Sequence, residues 1–276
     1  MSSEQNRVKP FLKWAGNKTQ LLERLKPLLP EARRLIEPFA GSGAVFLNTE
    51  YSRYLLADSN QDLISLYHYL QKEGLEFIKY CRPFFEPENN NKPMFYELRN
   101  LFNTTHETRL KAALFLYLNK HAYNGLCRYN SQGGYNVSFG RYLKPYFPEK
   151  EMQLFFKRAK KATFSHKDFN HTLKLAKSGD VVYCDPPYMP LSLTANFTSY
   201  QAGGFGLDQH LELADWAKTL AKKGISVLVS NHATDFIQKA YKGARLLKFE
   251  VQRFISCKGD KREKVMEVLA LFAAKT

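Results

Sequence analysis

The run DVVYCDPPYMP, residues 180–190, ends an apolar stretch in a carboxylate, two prolines and an aromatic. Proline has no N–H, so Pro186 and Pro187 stiffen the turn and leave carbonyls without competing donors. With the carboxylate of Asp185 beside them, the stretch is a rigid acceptor site. An exocyclic amine on a base offers two N–H bonds. If Asp185 and the Pro186 carbonyl each accept one, the nitrogen is held closer to tetrahedral, with its lone pair aimed at an incoming electrophile. The Tyr188 ring gives a flat base a stacking surface, and Phe197 or Tyr200 could close its other side. A proline-stiffened turn after a core strand would also explain the two prolines, but gives Asp185 and Tyr188 no task.

A second constellation lies upstream. In EPFAGSGAV, residues 37–45, Gly41 and Gly43 follow an apolar strand signal and precede a short helix. Glycine permits tight turning and close approach of a ligand, and a simple helix entry would use it too. The pattern is not GxGxxG, because position 46 is Phe, and it lacks the Gly-Lys-Ser/Thr of a phosphate-binding loop. Asp58 ends the next strand signal, where an acid accepts hydrogen bonds from a ribose diol. The pair suggests a nucleoside-containing cofactor with no required pyrophosphate.

The elements that must carry these residues are legible in outline. Residues 33–58 read as strand (Leu35 to Phe39), turn, short helix and strand (Tyr54 to Ala57), with a helix over Gln61 to Leu70. Strand signals return at KATFSH, DVVYC, GISVLVS, ARLLKFEV and VMEVLALF, with a helix from Asp208 to Lys222. This alternation predicts an α/β fold, a mostly parallel sheet with helices on both faces and the last two strands as an antiparallel edge pair. Asp58, Asp168 and Asp185 would then line the carboxyl edge of the sheet, where one crevice could collect them. Residues 71–160 read differently: helical stretches, then a Gly/Asn/Tyr-rich run with a hairpin signal at QGG. We read 1–70 and 161–276 as one domain and 71–160 as an insertion.

Charge narrows the partner. The chain has 276 residues, with 41 Lys and Arg against 26 Asp and Glu, a formal +15. Residues 75–160 hold 14 basic against 7 acidic side chains, which favours a polyanion partner. Cys81, Cys127, Cys184 and Cys257 are scattered without metal-ligand spacing, which predicts no metal and fits a reducing compartment. No signal-peptide core or membrane-length apolar run occurs, so the expected location is cytoplasmic.

Taken together, FLKWAGNK at 11–18, EPFAGSGAVFLN at 37–48, LADSNQDLI at 56–64, YNGLCRYN at 123–130, DPPYMPLS at 185–192 and SNH at 230–232 resemble the Dam-type DNA adenine-N6 methyltransferases over nearly the whole chain. The order of glycine motif, inserted recognition domain and DPPY resembles the alpha group of amino-methyltransferases. The resemblance implies S-adenosyl-L-methionine as cofactor and adenine N6 in double-stranded GATC as target. It implies cofactor contacts from Trp14, Ala15, Lys18, Phe39, Ala40, Gly41, Gly43, Asp58, Asp168, Phe169 and Asp185. Asp185, Pro186 and Tyr188 would hold the flipped adenine. Lys13 and Arg128 resemble residues that contact guanines, Tyr123 and Asn124 residues that intrude into the stack, and Leu126 an apolar contact to thymine. Asn130, Asn136 and Arg141 would touch phosphates.

Two departures stand out. Ser138 replaces a proline of close relatives, at a position thought to touch the thymine methyl. SCKGDKREK, at 256–264, stands where the family has a loop of the type SSNGGTRKK, with Lys258 and Asp260 replacing Asn and the second Gly. The resemblance further implies a monomer that needs no protein partner, binds no membrane and transfers the methyl directly, in the setting of DNA replication, mismatch repair or restriction–modification. Asp185 either accepts the departing proton or orients the amine. Cytosine-N4, RNA or protein-amide methylation and a silent DNA binder are the competing readings.

Overall fold

A computed structural model describes residues 7–190, 205–252 and 264–275. Phe197, Tyr200 and the part of the tail loop carrying Cys257, Lys258 and Asp260 lie outside the described residues. The strands are β1 (Arg34–Glu37), β2 (Arg53–Asp58), β3 (Ala162–His166), β4 (Asp180–Cys184), β5 (Ser226–His232), β6 (Arg245–Gln252) and β7 (Lys264–Phe272). The chain divides into two compact units: residues 1–22, 40–50 and 58–166, and residues 23–39, 51–57 and 167–276.

The second unit is built on the strand order β2-β1-β4-β5-β7-β6. β1 pairs in parallel with β2 and β4, and β4 with β5, whereas β7 runs antiparallel to both β5 and β6. Every residue of β4 is buried, as expected for a central parallel strand covered on both sides. Its register against β1 is fixed at one end by an ion pair. The Arg34 guanidinium donates to both Asp180 oxygens, Nε to Oδ1 at 3.0 Å and Nη2 to Oδ2 at 2.6 Å. Asp180 thus opens β4 as a structural acid, and Asp185 follows its other end as a site acid. β1 stops at Glu37, two residues before the predicted Phe39, because Pro38 has no N–H for the ladder. Phe39, freed from the sheet, stacks on Phe169 with ring centroids 5.6 Å apart.

The first unit is largely helical, with helices Gln61–Glu73, Leu75–Cys81, Lys92–Thr104, Thr108–His121 and Glu149–Ala159. Its core is aromatic: the Phe155 ring lies 5.1 Å from Phe11, 5.5 Å from Phe46 and 4.6 Å from Tyr67. Helix Thr108–His121 is buried without interruption from Ala112, which fits its apolar sequence. After it the chain forms a shaped loop held by two isolated bridges, Ala122 to Phe139 and Tyr129 to Tyr135. The hairpin expected at QGG is therefore one bridge long. Its turn is organised by Asn130, whose side-chain oxygen accepts from the N–H groups of Gln132 and Gly134.

Candidate active site and nucleic-acid interface

The glycine turn is held from three sides within the first unit. Gly41 and Gly43 have φ of 46° and 70°, a left-handed backbone that favours glycine. A Cβ on Gly41 would meet Trp14 Nε1 at 2.9 Å, so Trp14 is packed directly on the turn. Gly41 N–H donates to Asp58 Oδ2 at 3.0 Å, and its carbonyl accepts from Tyr67 Oη at 2.5 Å. Asp58 Oδ1 accepts from Asn60 N–H at 2.9 Å. Burial pushes the Asp58 carboxyl above its ordinary value, partly offset by those backbone donors. The carboxylate keeps acceptor capacity for a further donor such as a ribose hydroxyl. Lys18 is buried, with Nζ donating to Gly16 O at 2.6 Å, while Ala15 is exposed beside it.

The DPPY stretch belongs to the second unit, and β5 and β7 brace it. Ser230 Oγ donates to Asp185 Oδ1 at 2.7 Å and lies 3.1 Å from Tyr183 Oη. Asn231 Oδ1 accepts from Met189 N–H at 3.1 Å, and His232 Nδ1 bonds the Met189 carbonyl. Tyr188 Oη donates to Glu267 Oε2 at 3.3 Å, and its ring stands edge-on to His232 at 4.9 Å. Burial holds the Tyr188 phenol protonated far above its ordinary range, so it serves as the donor to Glu267. Pro186 is buried and Pro187 exposed. Sequence reasoning noted SNH without giving it a task and missed Glu267. The available signal was a lone carboxylate in the apolar strand VMEVLALF, paired in register with His232.

Asp168 and Phe169 also lie in the second unit. Asp168 caps helix Phe169–Leu173: Oδ1 accepts from His171 N–H at 2.8 Å and Oδ2 bonds His171 Nδ1 at 2.7 Å. The backbone N–H of His171 draws its carboxyl below the usual value. Phe205 joins Phe39 and Phe169, its ring centroid 5.5 Å and 5.4 Å from theirs.

The nucleic-acid candidates gather around the shaped loop. Tyr123 is 55% and Leu126 39% exposed, and Leu143 is wholly exposed. Such apolar side chains on a basic surface suit a wedge or a groove contact. Asn124 and Arg141 are the positive-φ residues other than glycine among those described, at 52° and 54°. Lys13 Nζ donates to Lys120 O at 3.1 Å and sits 3.7 Å above the Tyr142 ring, which aims the side chain along the loop. Arg128 Nε donates to Asn136 Oδ1 at 2.8 Å. Two of the expected phosphate contacts thus have internal tasks: Asn136 orients Arg128, and Asn130 shapes the turn. Ser138 is exposed, and its carbonyl accepts from Tyr123 N–H at 2.8 Å. Burial pushes the Cys127 thiol up to about 11, so it is no nucleophile near neutral pH. Among the described residues no His, Cys, Asp or Glu cluster is placed to hold a metal, and no helix is long and apolar enough to cross a membrane.

Comparison with known proteins matches nearly the whole chain to DNA adenine methyltransferases. The model of the D12 class N6 adenine-specific DNA methyltransferases matches residues 14–255. The DNA adenine methylase of Vibrio cholerae O1 is 51% identical over 263 residues, covering 95% of both chains. That of Escherichia coli K12 is 48% identical over 262 residues, covering 95% of this chain and 94% of its own. That of Serratia marcescens is 48% identical over 263 residues, covering 95% and 97%.

Proposed function

The chain belongs to the D12 class of N6 adenine-specific DNA methyltransferases, and from that premise we propose that it methylates adenine N6 in double-stranded GATC after flipping the base out of the duplex. The observation that carries the proposal is the acceptor site at residues 185–188, in which Ser230 fixes Asp185 and Glu267 fixes Tyr188. A flipped adenine needs an acceptor for its amine and a ring for its face, both held still before it arrives.

The residues present fit S-adenosyl-L-methionine. Asp58 has lone pairs for a ribose diol, Lys18 supplies a cation for a carboxylate, and the Gly41 turn lies under the Trp14 ring. Ala15, Ala40 and Gly43 complete that group, and Phe39, Asp168 and Phe169 take the adenine-packing role of the family. When bound, this cofactor supplies a sulfonium-borne methyl that an amine lone pair can attack in one step. The protein's task is orientation. Asp185 and the Pro186 carbonyl accept the amine hydrogens and turn the lone pair outward, and Tyr188 stacks on the base.

Base reading is assigned to the shaped loop. Lys13 and Arg128 donate to guanine O6 and N7, Leu126 meets a thymine methyl, and Tyr123 and Asn124 enter the stack vacated by the adenine. Asn130, Asn136 and Arg141 are assigned to phosphate contacts. Residues 71–160 act as the DNA-reading segment, with 1–70 and 161–276 carrying the chemistry. The enzyme works as a cytoplasmic monomer on one strand at a time. Incubating duplexes bearing GATC or a scrambled site with labelled cofactor, then digesting them to nucleosides, tests this reading. Label on N6-methyladenine in the GATC duplex alone is the expected result, and label on cytosine or in RNA would overturn it.

A further inference from the structure

Arg128 is flanked by two residues that tie it to a place outside the DNA-reading loop. Tyr129 Oη donates to Asp62 Oδ2 at 2.7 Å, and Asn60 Nδ2 contacts Cys127 Sγ at 3.3 Å. Asn60 and Asp62 form the cap and first turn of helix Gln61–Glu73, which begins three residues after Asp58. Asn60 is doubly committed: its Oδ1 caps Leu63 N–H at 3.0 Å and its N–H donates to Asp58. Lys111 Nζ lies 3.7 Å from the other Asp62 oxygen, which steadies the carboxylate that receives Tyr129. On the loop side, Tyr129 bridges to Tyr135, whose hydroxyl donates to Leu126 O at 2.7 Å. The guanidinium has its own bond to Asn136, so Arg128 is oriented from the loop but located by its neighbours.

We propose that Tyr129 is a specificity-positioning residue: through Asp62 it docks the loop on the strand end that carries Asp58, and so fixes Arg128 where it can read guanine. The proposal rests on the assignment of Arg128 as a guanine contact. A bidentate contact discriminates only while its two donors stay in register with O6 and N7. Loss of the dock leaves Arg128 its charge but not its place, so correct and incorrect sites are bound more nearly alike.

The test compares kcat/KM on GATC and AATC duplexes for the wild type, Tyr129→Phe, Arg128→Ala and the double variant. Tyr129→Phe should lower the preference for GATC by about tenfold, within what one side chain–base contact contributes. In the Arg128→Ala background the same change should do nothing further, because Tyr129 acts through Arg128. A wild-type preference in Tyr129→Phe, with preference lost in Arg128→Ala, would overturn the positioning role and leave Arg128 as the reader. Equal losses in both backgrounds would also overturn it, as the mark of a merely structural residue. An unchanged preference in Arg128→Ala would remove the assignment beneath it. Asp62 supplies a second pair: Asp62→Asn keeps an acceptor oxygen and should retain the preference, and Asp62→Leu should lose it. Equal loss in the two would sink the proposal.

Discussion

Ser230 Oγ stands 2.7 Å from Asp185 Oδ1 and 3.1 Å from Tyr183 Oη. One hydroxyl thus joins the acid that follows β4 to a buried phenol within the strand. Ser230 carries a single proton, and the carboxylate is its stronger acceptor. Tyr183 then donates to Ser230, and the Asp185 rotamer is set from the neighbouring strand.

Ser230→Ala removes that orientation and leaves Tyr183 Oη buried without the partner, a cost of roughly 1–3 kcal/mol. We expect single-turnover methylation to fall about tenfold, in proportion to one lost orienting bond, with DNA affinity nearly unchanged. Asp185→Ala should abolish turnover while GATC binding persists. A Ser230→Ala enzyme that binds DNA poorly but turns over normally would show that Ser230 serves the fold and not the amine.

Gly41→Ala should be worse than Gly43→Ala, although both glycines have positive φ. Both pay a left-handed cost of about 1–2 kcal/mol. Only at Gly41 is the added Cβ crowded, at 2.9 Å from Trp14 Nε1; at Gly43 the nearest ring atoms, of Phe155 and Phe46, lie at an ordinary 3.6 Å. Displacing Trp14 or the turn also strains the Gly41 N–H bond to Asp58. The KM for S-adenosyl-L-methionine should rise about tenfold in Gly41→Ala. Equal KM values in the two variants would exclude the Trp14 contact as the cause.

Two buried histidines set an acid limit to stability. Burial pushes His121 down to about 4, with Lys13 adding to the effect and the bond to the Tyr117 carbonyl opposing it; burial alone does the same to His210. In the unfolded chain both return to about 6.5. Between those values the unfolded state binds more protons, so unfolding free energy rises with pH through the window. Their contribution is complete above 6.5 and lost as pH falls toward 4. Asp58, raised by burial, contributes a slope of the opposite sign. The urea midpoint should therefore hold steady above pH 7 and drop between 6.5 and 4.5. Leucine at either histidine should flatten part of that slope, and an unaltered slope in both variants would assign the acid limit to other groups.

What the sequence made legible follows the range of the interactions involved. The glycine turn, Asp58 and the DPPY stretch are local: spacing, proline chemistry and strand ends suffice to find them, and each stands where its strand ends. The braces are not local. Ser230 reaches Asp185 across 45 residues, Glu267 reaches Tyr188 across 79, and Asp62 reaches Tyr129 across 67. No periodicity encodes such pairs, because they depend on strand order and on how the loop docks. Asn130 and Asn136 illustrate the same limit. Their amides suit phosphate, and their side-chain oxygens also serve a turn and Arg128, a second task that only the closed loop reveals.

Ser138 offers a gain-of-specificity test. Its carbonyl accepts from Tyr123 N–H at 2.8 Å, and proline keeps that carbonyl, so Ser138→Pro preserves the bond that ties the two sides of the loop. The side chain is exposed, and the exchange replaces a hydroxyl with an apolar ring at the position the family places beside the thymine methyl. Apolar contact with that methyl favours A·T over other pairs, and a hydroxyl contributes little there. Proline should also narrow the unfolded ensemble, a stabilising effect of about 0.4–1 kcal/mol where the native φ suits it. We expect discrimination between GATC and GACC duplexes to increase roughly three- to tenfold, near the lower end of what one base contact contributes, with turnover on GATC maintained. Matched kcat/KM values on the two duplexes for wild type and variant decide it: an unchanged ratio with intact folding would show that this position does not read the thymine.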